Sequence, residues 1–132
     1  MLALIGEAQY NESFLGEVSM SLAEKSCTPC RGGVPPIEPA KVDEMLGQLR
    51  NGWKATHNHT RLERAFTYKD FAAALAFANK VGEIAEKEAH HPDLHVRWGA
   101  CVVEIWTHKI NGLTESDFIL AAKIDRAEPN GS

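Results

Sequence analysis

The chain of 132 residues is long enough for one folded domain and too short for two full hydrophobic cores. With 44% hydrophobic and 24% charged residues, it has the composition of an ordinary globular protein. Its formal net charge of -4, from 14 basic and 18 acidic residues, argues against nonspecific binding to nucleic acid or to anionic membranes.

The first residues lack the pattern of a targeting signal. Residues 1–6 are apolar but too few for a signal core, and no basic residue precedes Lys25. No apolar stretch reaches the roughly 18 residues that a membrane-spanning helix requires. Three cysteines, an odd number, indicate no disulfide framework and favour a reducing cytoplasm. We expect residues 1–25 to form a poorly ordered extension, residues 26–126 a single domain and residues 127–132 a tail.

The first helix and the first hairpin are predicted between residues 39 and 67. After a proline-rich segment, apolar residues recur at the i, i+3, i+4, i+7 spacing of a helix from Pro39 to Arg50, and Gly52 is the expected stop. Alternation of apolar and polar residues then predicts two strands within residues 53–67, joined by a turn at residues 57–60.

The strongest helical pattern runs from Asp70 to Ala89. Pro92 follows shortly and prevents the helix from continuing, because the residue before a proline is pushed out of the α region. The apolar stripe predicted to face the core consists of Phe71, Leu75, Ala78, Val81 and Ala85.

A second hairpin and a final helix complete the predicted domain. Residues 94–98 and 100–107 alternate like strands around Gly99, and Thr114 forms a capping box with Asp117 before an apolar helical run. The resulting order, α-β-β-α-β-β-α, predicts an α+β fold in which helices cover one face of an antiparallel sheet.

Histidines dominate the candidate chemistry, because four of the six lie in the C-terminal third of the chain. Glu86 and His90 are four residues apart and share a helix face, whereas His91 and Pro92 redirect the chain. His108 closely follows the last predicted strand, so it could approach the end of the long helix. Imidazoles titrate near neutral pH, and their convergence on one pocket would suit proton transfer without a metal.

Other histidines and tryptophans have simpler structural explanations. His57, His59 and His95 are interpreted as surface or hydrogen-bonded polar residues. The tryptophans are interpreted as packing residues, with one exception. Trp106 lies two residues before His108 and could flank a planar ligand.

A metal or redox site is the alternative interpretation of the cysteines. Cys27 and Cys30 have zinc-ligand spacing, but no second pair completes the four ligands of a structural zinc site. His57 and His59 would add only two candidates on a predicted turn. A redox pair is also conceivable, although no strand precedes it as a thioredoxin-type site would require. We expect no metal, and we assign the cysteines a capping or local packing role.

One spaced pattern resembles the signature of the pterin-4a-carbinolamine dehydratases, a family also known as dimerisation cofactors of a homeodomain transcription factor. The seven matching positions span 32 residues and are Glu86, His90, His91, Pro92, Trp98, His108 and Asp117. The likeness extends over about residues 36–126 and includes Gly52-Trp53, the FTYKDF segment at 66–71 and the NGLTESD segment at 111–117. The CTPCRGG segment at 27–33 looks like one that precedes the domain in bacterial and plant members.

This resemblance implies a four-stranded antiparallel sheet with helices on one side, a homodimer or homotetramer, and neither a metal nor another cofactor. The family's catalytic histidines correspond to His90, His91 and His108. Its substrate-contacting residues correspond to Ala89, His90, His91, Trp106, Thr107, His108 and Lys109. The supporting positions would be Glu86, Pro92, Trp98 and Asp117. The chain departs from animal members at Ala89 and Lys109, where those members carry acidic residues.

The implied reaction is loss of water from 4a-hydroxy-tetrahydropterin, which yields quinonoid dihydropterin during pterin recycling. We therefore expect a cytoplasmic hydro-lyase that binds a small pterin and neither nucleic acid nor membrane. The alternative is a non-catalytic module of the same fold, either a protein dimerisation cofactor or an accessory factor in pterin or molybdopterin metabolism. The acidic charge balance and the three matching histidines favour the enzyme.

Overall fold

In the computed structural model, which describes residues 21–29 and 32–128, helices pack on one face of a four-stranded antiparallel sheet. The helices are α1 (Pro39–Leu46), α2 (Phe71–Glu88) and α3 (Glu115–Ala127). The strands are β1 (Lys54–Thr56), β2 (Arg61–Thr67), β3 (Asp93–Arg97) and β4 (Ala100–Ile105). The predicted α+β class and the predicted element order are both confirmed.

The two hairpins join through their second strands, which gives the sheet order β1-β2-β4-β3. In the central pair, Leu62 lies opposite Ile105 and Phe66 opposite Cys101. These side chains are at most 2% exposed, because the helices cover this face of the sheet. The ring of Phe66 packs on that of Phe77 from α2, with 4.6 Å between centroids. The core therefore lies between the central strands and the helices.

The buried face of α2 differs from the predicted stripe. Phe71 is 45% exposed and Leu75 is 43% exposed, although both were expected to face the core. The residues that α2 buries are Ala74, Phe77, Ala78, Val81 and Ala85. The prediction was wrong at its N-terminal end because the buried face is centred to one side of Phe71 and Leu75. Alanines occupy positions 72–74 and 76, so the apolar pattern did not locate that centre.

Helix α1 is shorter than predicted. It ends at Leu46 rather than Arg50, because the chain tightens into i to i+3 hydrogen bonds at Gly47, Gln48 and Leu49. Gly52 is required for a different reason from the predicted helix stop. It has a φ of 114°, and a Cβ there would lie 2.8 Å from the Arg64 Nε.

A buried ion pair anchors the C-terminal end of α3. The Asp125 Oδ1 accepts hydrogen bonds from the Arg64 guanidinium at 2.7 Å and from the Trp53 indole at 2.8 Å. Burial raises the pKa of Asp125, and these hydrogen bonds act in the opposite direction. Losing one partner would leave a buried charge uncompensated, so the pair fixes how α3 sits on the sheet.

Residues 1–20 of the expected extension lie outside the described residues, as do residues 129–132 of the expected tail. Residues 21–25, which we expected to belong to that extension, pack on the domain. They contain the 3₁₀ helix Leu22–Glu24, and the Leu22 side chain joins the core with 6% exposure. No helix in the described part of the chain has the length and apolar character needed to cross a bilayer.

Candidate functional site

The end of α2 determines the backbone position of His90. Ala89 adopts the left-handed conformation with φ 54°, and its N–H donates to the carbonyls of Ala85 and Glu86. The His90 N–H also donates to the Ala85 carbonyl, at 3.2 Å. This hydrogen-bonded helix end holds alanine in a conformation that it normally avoids, and it redirects the chain at His90.

A buried carboxylate holds the His90 ring. The His90 Nε2 lies 2.6 Å from the Asp117 Oδ1, and the His90 side chain is 12% exposed. Asp117 itself is fully buried at the first turn of α3. With Nε2 bound to a carboxylate, the ring orientation is set, and Nδ1 is the nitrogen that remains for a ligand.

The second oxygen of Asp117 is also fully engaged. Its Oδ2 accepts from the Thr107 hydroxyl at 2.8 Å and from the Thr114 N–H at 2.8 Å. The carboxylate thus caps α3 with one oxygen and orients His90 with the other. Sequence analysis predicted the capping box and assigned Asp117 a supporting position, and the structure adds the geometry that links the two.

His108 follows β4 at the start of the 3₁₀ helix His108–Ile110 and is exposed. Its ring meets the Trp106 indole edge to face, with centroids 4.3 Å apart. The Arg61 guanidinium also packs on Trp106, 3.9 Å from the ring centroid. The same guanidinium forms an ion pair with Glu104 at 3.6 Å. The Trp106 indole therefore contacts both a cation, Arg61, and the His108 ring that it supports.

His91 is in a different environment. Its Nε2 lies 2.6 Å from the Glu86 Oε2, but the two side chains are 58% and 79% exposed. Solvent screens such a pair, so Glu86 orients the His91 ring without holding it as firmly as Asp117 holds His90.

These residues surround one pocket of about 340 Å³, within the range of small-molecule sites. All seven residues expected to contact substrate line it, together with two that sequence analysis missed, Thr28 and Pro29. Trp98 was expected to support the site but is 72% exposed at the β3–β4 turn and does not line the pocket. Pro92 leads from His91 into β3 and does not line the pocket either.

The missed residues come from segments distant in sequence. Arg61 reaches Trp106 because β2 pairs with β4 so that Leu62 lies opposite Ile105. Only knowledge of this register would have placed the two side chains together. Thr28 and Pro29 come from the segment with the paired cysteines, which was assigned only a capping or packing role.

The environment of Cys27 supports that packing role. Its thiol donates to the Ser116 carbonyl at 3.4 Å, and burial, followed by the Glu88 carboxylate, raises the pKa of the thiol to about 12. A thiol with this pKa is not a nucleophile at neutral pH. Cys30 lies outside the described residues. Among residues 21–29 and 32–128, no group of three or more His, Cys, Asp or Glu side chains is placed to hold a metal ion.

Comparison with known proteins identifies the family. Residues 35–127 match the family model described as pterin 4 alpha carbinolamine dehydratase. A Rickettsia bellii protein that carries the provisional name of pterin-4-alpha-carbinolamine dehydratase is 54% identical over 108 residues, which cover 82% of this chain and 95% of that protein. A Rubrobacter xylanophilus protein with the same provisional name is 50% identical over 105 residues, covering 80% and 96% of the two chains.

A solved structure agrees with both comparisons. The crystal structure described as a transcriptional coactivator/pterin dehydratase from Brucella melitensis superposes with a TM-score of 0.64 at 30% identity, covering 70% of this chain and 97% of that one. From the family match over the sheet and its helices, and from these relatives, it follows that the chain belongs to the pterin 4 alpha carbinolamine dehydratase family.

Proposed function

We propose that this protein dehydrates a 4a-hydroxy-tetrahydropterin to quinonoid dihydropterin by histidine acid–base catalysis. The observation that carries the proposal is a pocket in which His90, held by a buried carboxylate, lies with His91 and His108. The family match and the names of the relatives support the same substrate class.

The reaction needs two proton transfers. The C4a–O bond breaks while the N5–H bond gives up its proton, and the departing hydroxide must be protonated to leave as water. A base must therefore accept the N5 proton, and an acid must donate to the oxygen. Imidazoles perform both steps near neutral pH.

His90 is the proposed base and His108 the proposed acid. With Nε2 of His90 donating to Asp117, the lone pair on Nδ1 is available to accept a proton, and the carboxylate stabilises the imidazolium that forms. His108 is exposed at the pocket and oriented by Trp106, so it can exchange its proton with solvent between turnovers. His91, held loosely by Glu86, orients the pterin ring.

An assay with chemically generated 4a-hydroxy-tetrahydropterin tests this proposal, with formation of the quinonoid product measured by its absorbance. Replacing His90 or His108 by alanine should lower kcat by roughly 10²–10⁴-fold, the usual effect of removing a positioned acid or base. His91→Ala should chiefly raise KM. His57→Ala and His95→Ala are matched controls outside the pocket and should leave turnover unchanged.

The non-catalytic alternative has one specific observation in its favour. The Brucella melitensis protein is described as a transcriptional coactivator as well as a pterin dehydratase. A folded protein without turnover of the 4a-hydroxy-tetrahydropterin would favour this alternative. Activity that survives in His108→Ala but is lost in His95→Ala would contradict the assignment of the site.

A further inference from the structure

The segment Ser21–Pro29, here called the strap, lies before the region that matches the family model, which begins at residue 35. It nevertheless follows α3 closely. The Lys123 ammonium donates to the Ala23 carbonyl at 2.9 Å, and Lys25 pairs with Glu115 at 2.8 Å. The strap is thus attached to α3 along its length rather than only through Leu22 in the core.

The end of the strap binds the neighbours of the catalytic pair. The Cys27 N–H donates at 2.9 Å to Glu88, the last residue of α2 and two residues before His90. This hydrogen bond is the main cause of a lowered pKa of Glu88, so the acceptor is a carboxylate and the bond is charge-assisted.

The second attachment is at the start of α3. The Thr28 N–H donates to the Ser116 Oγ at 3.0 Å, and the same hydroxyl donates back to the Thr28 carbonyl at 3.3 Å. Ser116 is 5% exposed and immediately precedes Asp117. The strap therefore bridges the two chain positions that bring His90 and Asp117 within 2.6 Å of each other.

From this attachment the strap reaches the pocket, where Thr28 and Pro29 line the wall together with residues 89–91, just after α2, and residues 106–109, just after β4. Core packing alone accounts for Leu22 but not for this arrangement. Two polar attachments flank the His90–Asp117 pair, and the next residues line the cavity.

We propose that the strap is a positioning and substrate-binding element of the catalytic pocket. It holds the end of α2 against the start of α3, which keeps His90 on Asp117. It also supplies, through Thr28 and Pro29, a wall that contacts the substrate, and this second part rests on the proposed function.

Three variants test the two parts separately. Ser116→Ala removes the hydroxyl that holds Thr28 and leaves the Thr28 N–H without its acceptor, while the hydrogen bonds of Cys27 remain. Pro29→Gly removes only the ring from the wall. Lys25→Ala is the matched control, because it breaks an exposed ion pair of the strap with Glu115 and touches neither Cys27 nor Thr28. Pro29 is exposed, so its variant should fold even if Ser116→Ala does not.

The first measurement is hydrogen exchange of the His90 amide, which does not depend on activity. Ser116→Ala should accelerate this exchange by roughly tenfold, the scale of one lost hydrogen bond, whereas Lys25→Ala should not. The second measurement is steady-state kinetics, in which Pro29→Gly should raise KM several-fold and leave kcat close to that of the unchanged protein.

An unchanged exchange rate of the His90 amide in Ser116→Ala would overturn the positioning role. An unchanged KM in Pro29→Gly would overturn the role of the strap in substrate binding. If the wild-type protein shows no turnover, the proposed function and the proposed substrate-binding role of the strap fail together. The positioning role is then still decided by the exchange rates.

Discussion

Replacing Asp117 by asparagine tests whether the buried carboxylate orients His90 for catalysis. Asparagine has nearly the same shape, and its carbonyl oxygen can still accept from the Thr107 hydroxyl and the Thr114 N–H. The amide NH₂ then faces the His90 Nε2 in place of the oxygen now 2.6 Å away. An amide N–H donates, so Nε2 must become an acceptor and the proton of the neutral ring moves to Nδ1.

The expected result is a large kinetic effect with a modest loss of stability. Nδ1 is the proposed proton acceptor, so the wrong tautomer removes the base, and kcat should fall by roughly 10²–10⁴-fold with little change in KM. Losing a charge-assisted hydrogen bond at a fully buried site should lower the free energy of unfolding by about 1–3 kcal/mol.

A matched control separates the two effects. Thr114→Ala weakens the helix cap by about 1 kcal/mol but leaves the main-chain N–H that donates to Asp117. It should keep kcat close to that of the unchanged protein. Stopped-flow turnover, urea unfolding and ¹⁵N NMR of the His90 ring provide the measurements. Full turnover in Asp117→Asn, or an equal loss in Thr114→Ala, would refute the reasoning.

Four further predictions concern metal, assembly, strain and ring support. Exhaustive chelation should leave turnover intact, and a stoichiometric zinc needed for activity would contradict this. Light scattering at micromolar concentration should show a dimer or tetramer, because β1 and β3 are edge strands of the sheet, each with a neighbouring strand on one side only; a monomer would contradict it. In urea unfolding, Ala89→Gly should stabilise the fold by about 0.5–1 kcal/mol by relieving the left-handed alanine, and a loss of stability would show that no strain is present. Arg61→Met should lower kcat/KM by roughly 3- to 10-fold because Trp106 loses its cation, whereas kcat/KM of the control Arg97→Met should not change.

Sequence periodicity predicted the elements of this fold because most of them are apolar on one side and polar on the other. The alternation in β4 separates Cys101, Val103 and Ile105 on the core face from Glu104 on the other, and Trp106, just after β4, continues the pattern. The same reasoning was less accurate for α2, where alanine is compatible with either face. At about 100° per residue, Phe71 and Leu75 lie beside the buried face, and only packing against the sheet determines where that face is centred.

The candidate site was predicted by spacing rather than by periodicity. The resemblance grouped residues from the end of α2 and from the chain after β4, and these do line one pocket. It could not show which histidine is held firmly, because that depends on burial. Asp117 is fully buried beside His90, whereas Glu86 is 79% exposed beside His91. Long-range contacts, such as that of Arg61 with Trp106, have no local sequence signal.

The position of Asp117 depends on both ends of α3. At the C-terminal end, Asp125 is held by Arg64 and Trp53 from the first hairpin, about 12 Å along the helix axis from Asp117. At the N-terminal end, the Thr114 cap and the strap on Ser116 hold the first turn. A helix fixed at both ends cannot slide or tilt without breaking buried polar contacts, which are costly to leave unpaired. The geometry of the His90–Asp117 pair is therefore a property of how α3 is mounted on the sheet, and not of the two side chains alone.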